Sequence, residues 1–101
     1  MRIAQIYMPK YANDKKSLNY IKLKLENDLI FYFGGCTQYN GYGSWNSGKK
    51  IFREPVIIFN VACNNTLKVK NIIINLAKKY KKLANQEAIF TVLPSGAVSI
   101  I

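Results

Sequence analysis

Apolar and polar residues change period several times along the chain, and each change marks an element. Residues Arg2 to Met8 alternate loosely, with Ile3, Ile6 and Tyr7 available for burial, and Pro9 closes the run because proline cannot donate to a strand ladder. A first strand is predicted there. Asp14 can cap a helix, and behind it Leu18, Ile21, Leu25 and Leu29 recur at spacings of three and four, so a helix is expected from about Lys15 to Phe31. Gly34-Gly35 breaks it. Cys36 to Trp45, rich in Tyr, Thr, Cys and Trp, reads as a second strand bent by Gly41 and Gly43. After turn chemistry at Asn46 to Lys49, the β-formers of Lys50 to Val61 predict a third strand in a hairpin with the second. Asn64-Asn65-Thr66 offers capping side chains to a second helix striped by Val69, Ile72, Ile73, Leu76, Tyr80 and Leu83. Ala88 to Leu93 reads as a further strand, and Ala97 to Ile101, beyond the Pro94-Ser95-Gly96 turn, as a small added one.

That order predicts a single α+β domain over residues 1–101: a ferredoxin-like βαββαβ antiparallel sheet with two helices on one face and a short C-terminal extra strand. Pro55 conflicts with an interior third strand, because its missing N–H breaks a ladder bond, so a bulge or an edge is expected there. With Ser47-Gly48 as the hairpin loop, Trp45 opposes Lys50, Gly43 opposes Phe52, Gly41 opposes Glu54 and Thr37 opposes Ile58. The part beyond Pro55 then projects as a two-stranded ribbon carrying aromatic and basic side chains. The same register puts Cys36 opposite Phe59, too far from Cys63 for a disulfide, which implies free thiols and a reducing compartment.

Charge changes the picture more than composition does. Fifteen Lys and Arg stand against five Asp and Glu, for a net charge of +10 that attracts polyanions. The other account of this excess is solubility together with AT-rich coding. Only Arg2 and Arg53 are arginines, so bidentate contacts to guanine edges are scarce and sequence-specific major-groove reading is not expected. No histidine is present, which removes the usual proton shuttle and zinc ligand, and two cysteines alone cannot hold a structural zinc. No cofactor is implied. No apolar run is long enough to span a membrane and the first residues lack a secretory apolar stretch, so a cytoplasmic chain without membrane contact is expected.

Gly34-Gly35-Cys36-Thr37, Gly41-Tyr42-Gly43-Ser44-Trp45, Gly48, Glu54-Pro55 and Gln86-Glu87 together follow a Gly-Gly-x-Thr, Gly-x-Gly-x-Trp, Gly, Glu-Pro, Gln-Glu pattern. Over residues 34–93 the chain resembles a group of small, uncharacterised bacterial and phage proteins that share it. The resemblance implies the hairpin and helix order and a phage or mobile-element origin, and no activity.

The glycines could present backbone N–H groups to phosphate, or could simply bend an edge strand under Trp45 or Tyr39. Gly43 to Lys50 only mimics a P-loop, since Lys50 replaces the required Ser or Thr and no helix follows. The third strand lacks the aromatic pattern of an RNA-recognition motif. Trp45, Tyr39 and Tyr42 could stack on bases or pack at a protein interface. The helix lysines Lys78, Lys79, Lys81 and Lys82 also complement the helix dipole. Glu54 and Glu87, both placed on strands, are weak candidates for acid–base work or Mg²⁺; otherwise Glu54 pairs with Arg53 or a nearby Lys and Glu87 accepts hydrogen bonds from a turn or strand end. Thr37, Ser44 and Cys36 as nucleophiles lack an activating histidine.

The expected function is therefore a small basic non-enzymatic binding protein engaging a phosphate-bearing partner, either nucleic acid or a nucleotide or oligonucleotide signal. Thr37, Tyr39, Trp45, Lys49, Lys50 and Arg53 would form the site, with Lys79 and Lys82 as outer phosphate contacts. One alternative is an interaction module acting through a homodimer or a host-protein interface. Another is a small hydrolase or transferase using Glu54 and Glu87.

Overall fold

A computed structural model describes residues 1–12 and 14–101. Five antiparallel strands form one sheet in the order β2-β3-β1-β4-β5, from β1 (Arg2–Pro9), β2 (Thr37–Ser47), β3 (Lys50–Cys63), β4 (Phe90–Val92) and β5 (Val98–Ile100). The chain is α+β and ferredoxin-like, with the two crossovers made by α1 (Asn19–Phe33) and α2 (Leu67–Leu83). Strand period two decides which residues are buried. Ala4, Ile6 and Met8 of β1 and Phe59, Val61 and Cys63 of β3 form one face, and Leu25, Leu29, Ile73, Leu76, Ala77 and Tyr80 of the helices pack into the same core. Among the described residues no helix covers the other face. Among the described residues no helix is long and apolar enough to cross a membrane.

The helices begin and end for local reasons. Thr66 caps α2, its Oγ1 accepting from the Val69 N–H over 3.2 Å. Gly34, at φ +80°, ends α1 with its N–H on the Ile30 carbonyl. Between the helices, Tyr80 donates to Asp28 Oδ2 over 2.5 Å and Lys79 Nζ reaches the same oxygen over 2.8 Å. Burial pushes the Asp28 carboxyl up, but these two hydrogen bonds and the charges of Lys79 and Lys24 outweigh it and hold the group below the ordinary 3.8. Burial and the Asp28 carboxylate raise the Tyr80 hydroxyl well above its ordinary range.

Several expectations need correction. Helix α1 starts at Asn19, not Lys15, because bonds form ahead of it first: Leu18 N–H bonds the Lys10 carbonyl, and Tyr11 bridges Ser17. Asp14 therefore caps nothing in α1, and its Oδ1 accepts from the Lys16 N–H instead. The hairpin loop is Gly48-Lys49, with Ser47 opposite Lys50, since Gly48 supplies the positive φ (+71°) that such a loop needs at its first position. The register is thus offset by two: Trp45 faces Phe52, Gly43 faces Glu54, Gly41 faces Val56 and Thr37 faces Asn60. An offset of two leaves every side chain on its expected face. Leu83 is exposed rather than part of the α2 stripe. Glu87 sits on a bend before β4, not on a strand, because pairing begins only at Phe90.

Pro55 finds its place without a bulge. The β1 ladder ends at Pro9 opposite Val56, and the next bond, from Lys10 N–H to the Pro55 carbonyl, asks only for an acceptor. Residues 50–55 of β3 then pair with β2 alone, so the expected ribbon projects past the sheet. Cys36 and Cys63 are both free thiols.

Candidate functional site

Where the ribbon leaves the sheet it bounds a cleft of about 710 Å³. Its walls are Tyr11, Ala12 and Lys15 from the segment after β1, and Trp45, Phe52, Arg53, Glu54 and Pro55 from the ribbon. The notch exists because β1 stops one residue short of Pro55 and the chain folds back at Tyr11 instead of continuing the sheet.

Trp45 and Phe52 face each other across the ladder with ring centroids 5.6 Å apart and planes inclined 18°. They remain 46% and 41% exposed, so their outer faces are available to a ligand. Lys50 Nζ lies 6.0 Å from the Phe52 ring centroid. Glu54 follows on the same face, two residues along β3. Its cross-strand neighbour is Gly43, where an added Cβ would meet only Val56 Cγ1, at 3.9 Å, so the space beside the carboxylate stays open. Gly41 differs: a Cβ there would come within 3.2 Å of Ile58 Cδ1.

Glu54 is half-buried and forms no ion pair among the described residues, although Arg53 is its chain neighbour. Alternation sends the two side chains to opposite faces of the ribbon. Burial pushes the Glu54 carboxyl above the ordinary 4.5. A desolvated carboxylate without a partner, next to exposed aromatic faces and within reach of a cleft, is suited to a cationic ligand with a flat ring. Glu87 stands exposed at the same end of the sheet, on the bend that leads into β4. No group of three or more metal-ligating side chains occurs among the described residues.

The remaining candidates are dispersed. Trp45 and Arg53 line the cleft; Lys49 and Lys50 stand at the ribbon turn; Thr37 lies at the opposite end of β2, across from Asn60. Tyr39 donates no bond into the cleft, its hydroxyl instead accepting from Gln5 Nε2 over 3.2 Å. Lys79 is engaged with Asp28, and both Lys79 and Lys82 belong to the helix layer, on the other side of the sheet from Trp45.

Two solved structures share the fold. A phage SAM lyase in complex with S-methyl-5′-thioadenosine superposes with a TM-score of 0.73 at 13% identity, covering 98% of this chain and 87% of that one. A phage SAM lyase in its apo state gives 0.72 at 12% identity, covering 98% and 86%. No family model and no curated protein matches the chain. At such identities the likeness carries the fold. It nonetheless corrects the expectation of a non-enzymatic binder of phosphate-bearing partners, since the fold is one shared with phage SAM lyase, an enzyme. The physical reason for the error is visible in the layers: the lysines that prompted it sit mainly on the helices, away from the aromatic ribbon.

Tyr11, Lys15, Phe52 and Pro55 are cleft residues that reasoning from the sequence passed over. Phe52 was legible, since a hairpin register offset by two sets it against Trp45. Tyr11 and Lys15 were not, because the bonds that pair Lys10 with Leu18 and Tyr11 with Ser17 follow no side-chain period.

Proposed function

We propose that the protein is an S-adenosylmethionine lyase that works in the Glu54 cleft and releases S-methyl-5′-thioadenosine. The observation that carries this reading is Glu54 itself: a half-buried carboxylate without an ion-pair partner, beside the stacked Trp45 and Phe52, on a fold shared with phage SAM lyase. The substrate is a sulfonium cation joined to an adenosyl group and an aminobutyrate arm. Exposed aromatic faces hold both a purine ring and a sulfonium, by stacking and by cation–π attraction. Glu54 supplies the single negative charge lining the cleft and attracts the cationic parts of the ligand, while Lys15, from the segment after β1, and Arg53 also border the cleft and can meet the arm's carboxylate.

In the reaction the bond from sulfur to the γ carbon of the arm breaks and its electron pair stays on sulfur, giving a neutral thioether. The arm's own carboxylate oxygen bonds to that carbon and closes a five-membered lactone, so no external proton is moved. Holding the arm folded, with oxygen and γ carbon in line with the leaving sulfur, is then the main task of the cleft, and such positioning is worth several kcal/mol, about 7 to 11 in well-oriented intramolecular cases.

The test is incubation of purified protein with S-adenosylmethionine and detection of methylthioadenosine by mass spectrometry, alongside Glu54→Gln. Turnover that falls at least about 100-fold in the folded variant supports the reading. A folded wild-type protein that neither forms nor binds methylthioadenosine overturns it.

A further inference from the structure

Where β3 runs on past the end of β1, its backbone has an edge without a partner strand. Ser47 and Lys50 flank the loop Gly48-Lys49 as a hydrogen-bonded pair, so by alternation Phe52 and Glu54 also bond to β2, whereas Ile51, Arg53 and Pro55 turn their backbone groups to the opposite edge. The bond from Lys10 N–H to the Pro55 carbonyl lies on that same edge. The three residues differ in what they offer there. Pro55 has no N–H, and its carbonyl is taken by Lys10. Ile51 stands nearer the turn, outside the residues that line the cleft. Arg53 lines the cleft, and among the described residues no backbone bond reaches its N–H or its carbonyl.

In a continued ladder Arg53 would exchange both groups with a single residue opposite, one bond given and one taken. Because β1 ends at Pro9, what faces Arg53 is the cleft. In open water the two groups are served by solvent. Between Trp45, Phe52, Pro55 and Tyr11, a ligand displaces that solvent, and it must then set an acceptor against the N–H and a donor against the carbonyl, side by side, or leave both stranded. A peptide strand is one occupant such an edge can take. Here only Ile51 and Arg53 are free to pair, against about five to six residues in an ordinary strand, and Lys49 and Lys50 stand at the end of the edge. The free length suits a single flat ring.

We infer that the main chain of Arg53 selects the base of the ligand, and that among the common purines it accepts adenine alone. The amino group of adenine donates to the Arg53 carbonyl, and the ring nitrogen beside that amino group accepts from the Arg53 N–H. Guanine and hypoxanthine carry an oxygen where adenine carries its amino group, so carbonyl would meet carbonyl. Selection by a site built to bond one pattern of donor and acceptor is strong, because the wrong base leaves the protein's own groups unpaired. The side chain of Arg53 is not needed for this, since it leaves the strand on a face and the reading is done at the edge. The inference rests on the lyase reading for the rest of the ligand and adds the group that chooses its base.

The experiment is titration calorimetry with methylthioadenosine, which lacks the arm's carboxylate, on the wild type, Arg53→Ala and Arg53→Pro. Both variants remove the side chain. Only proline removes the N–H, and on this edge it leaves the β2 ladder whole, as Pro55 already does. Arg53→Pro is expected to bind at least about fivefold more weakly than Arg53→Ala, with an unchanged circular dichroism spectrum. A second measurement needs no variant. On the wild type, S-methyl-5′-thioinosine and the analogue dimethylated on the amino nitrogen should each bind at least about 10-fold more weakly than methylthioadenosine, and so should one, not both, of the 1-deaza and 7-deaza analogues. Equal binding of all these ligands, or of methylthioadenosine by the two variants when both are folded, overturns the inference and leaves turnover of S-adenosylmethionine standing. The expected discrimination without turnover upholds the inference and removes the lyase reading. A wild type that binds no methylthioadenosine overturns both.

Discussion

Trp45 lies flat against Phe52 directly across the β2–β3 ladder, and this stacked pair forms one wall of the cleft that contains Glu54. Because the chain has one tryptophan, its fluorescence reports on that cleft alone. Methylthioadenosine should quench or shift it in a saturable manner. Trp45→Ala should weaken binding by about 10-fold or more, since a base–aromatic stack is worth roughly 1–3 kcal/mol. Both rings are more than 40% exposed, so thermal stability should change little. Titration calorimetry with a parallel melt checks the two effects. An unchanged affinity would remove the pair from the site.

The ribbon was legible in the sequence and the cleft was not. Trp45, Phe52 and Glu54 belong to one hairpin, whose side-chain faces follow from period two even when the turn is misplaced by two residues, as here. The core stripes of α1 and α2 were legible for the same reason, since Leu25, Leu29, Ile73, Leu76 and Tyr80 are set by helical spacing. The reversal through Tyr11 and Ser17 rests on backbone bonds between Lys10 and Leu18, and on Lys15 at φ +66°, which no side-chain pattern announces. Asp14 followed by an apolar period imitated a helix start there. Charge misled in another way: a net +10 says nothing about which layer carries it.

Two glycines on the same strand should respond differently to alanine. At Gly41 a Cβ would stand 3.2 Å from Ile58 Cδ1, and Ile58 is packed too closely to yield freely. At Gly43 the nearest atom is at ordinary contact distance, 3.9 Å, and alanine also costs less backbone entropy than glycine. Gly41→Ala is expected to lower the melting temperature, whereas Gly43→Ala leaves it level or raises it. Gly43→Leu, which fills the space beside Glu54, should keep the fold and abolish binding of methylthioadenosine. Melts and calorimetry on the three variants test this, and equal effects of the two alanines would contradict it.

The Asp28 carboxylate joins the two helices through Tyr80 and Lys79. Asp28→Ala leaves the hydroxyl of a 1%-exposed tyrosine without its acceptor, at a cost of about 1–3 kcal/mol. Tyr80→Phe should cost less, because Asp28 keeps Lys79 and some solvent. Asp28 has its carboxyl held below the ordinary 3.8, so its contribution to stability is present above that pH and is lost as pH falls through the folded value. Denaturant unfolding at neutral and acid pH should show the Asp28→Asn protein losing less stability on acidification than the wild type does.

Glu54 should trade stability for activity. Its carboxyl is raised by burial, so the folded chain holds that proton more tightly than the unfolded one, and the native state loses stability as pH rises from the ordinary 4.5 through the folded value. Glu54→Gln removes the charge and that loss with it. At neutral pH the variant should therefore melt at or above the wild-type temperature while losing turnover of S-adenosylmethionine. The rate should carry the same signature. The ionised carboxylate attracts the sulfonium, so activity falls on the acid side, with the limb in kcat/KM above 4.5 because that profile reports the free enzyme. Bound cation favours the ionised form, and the limb in kcat should lie lower than the one in kcat/KM. Paired pH profiles and a melt of Glu54→Gln check both halves; a destabilised variant, or limbs that coincide, would mean that Glu54 does not face the cation.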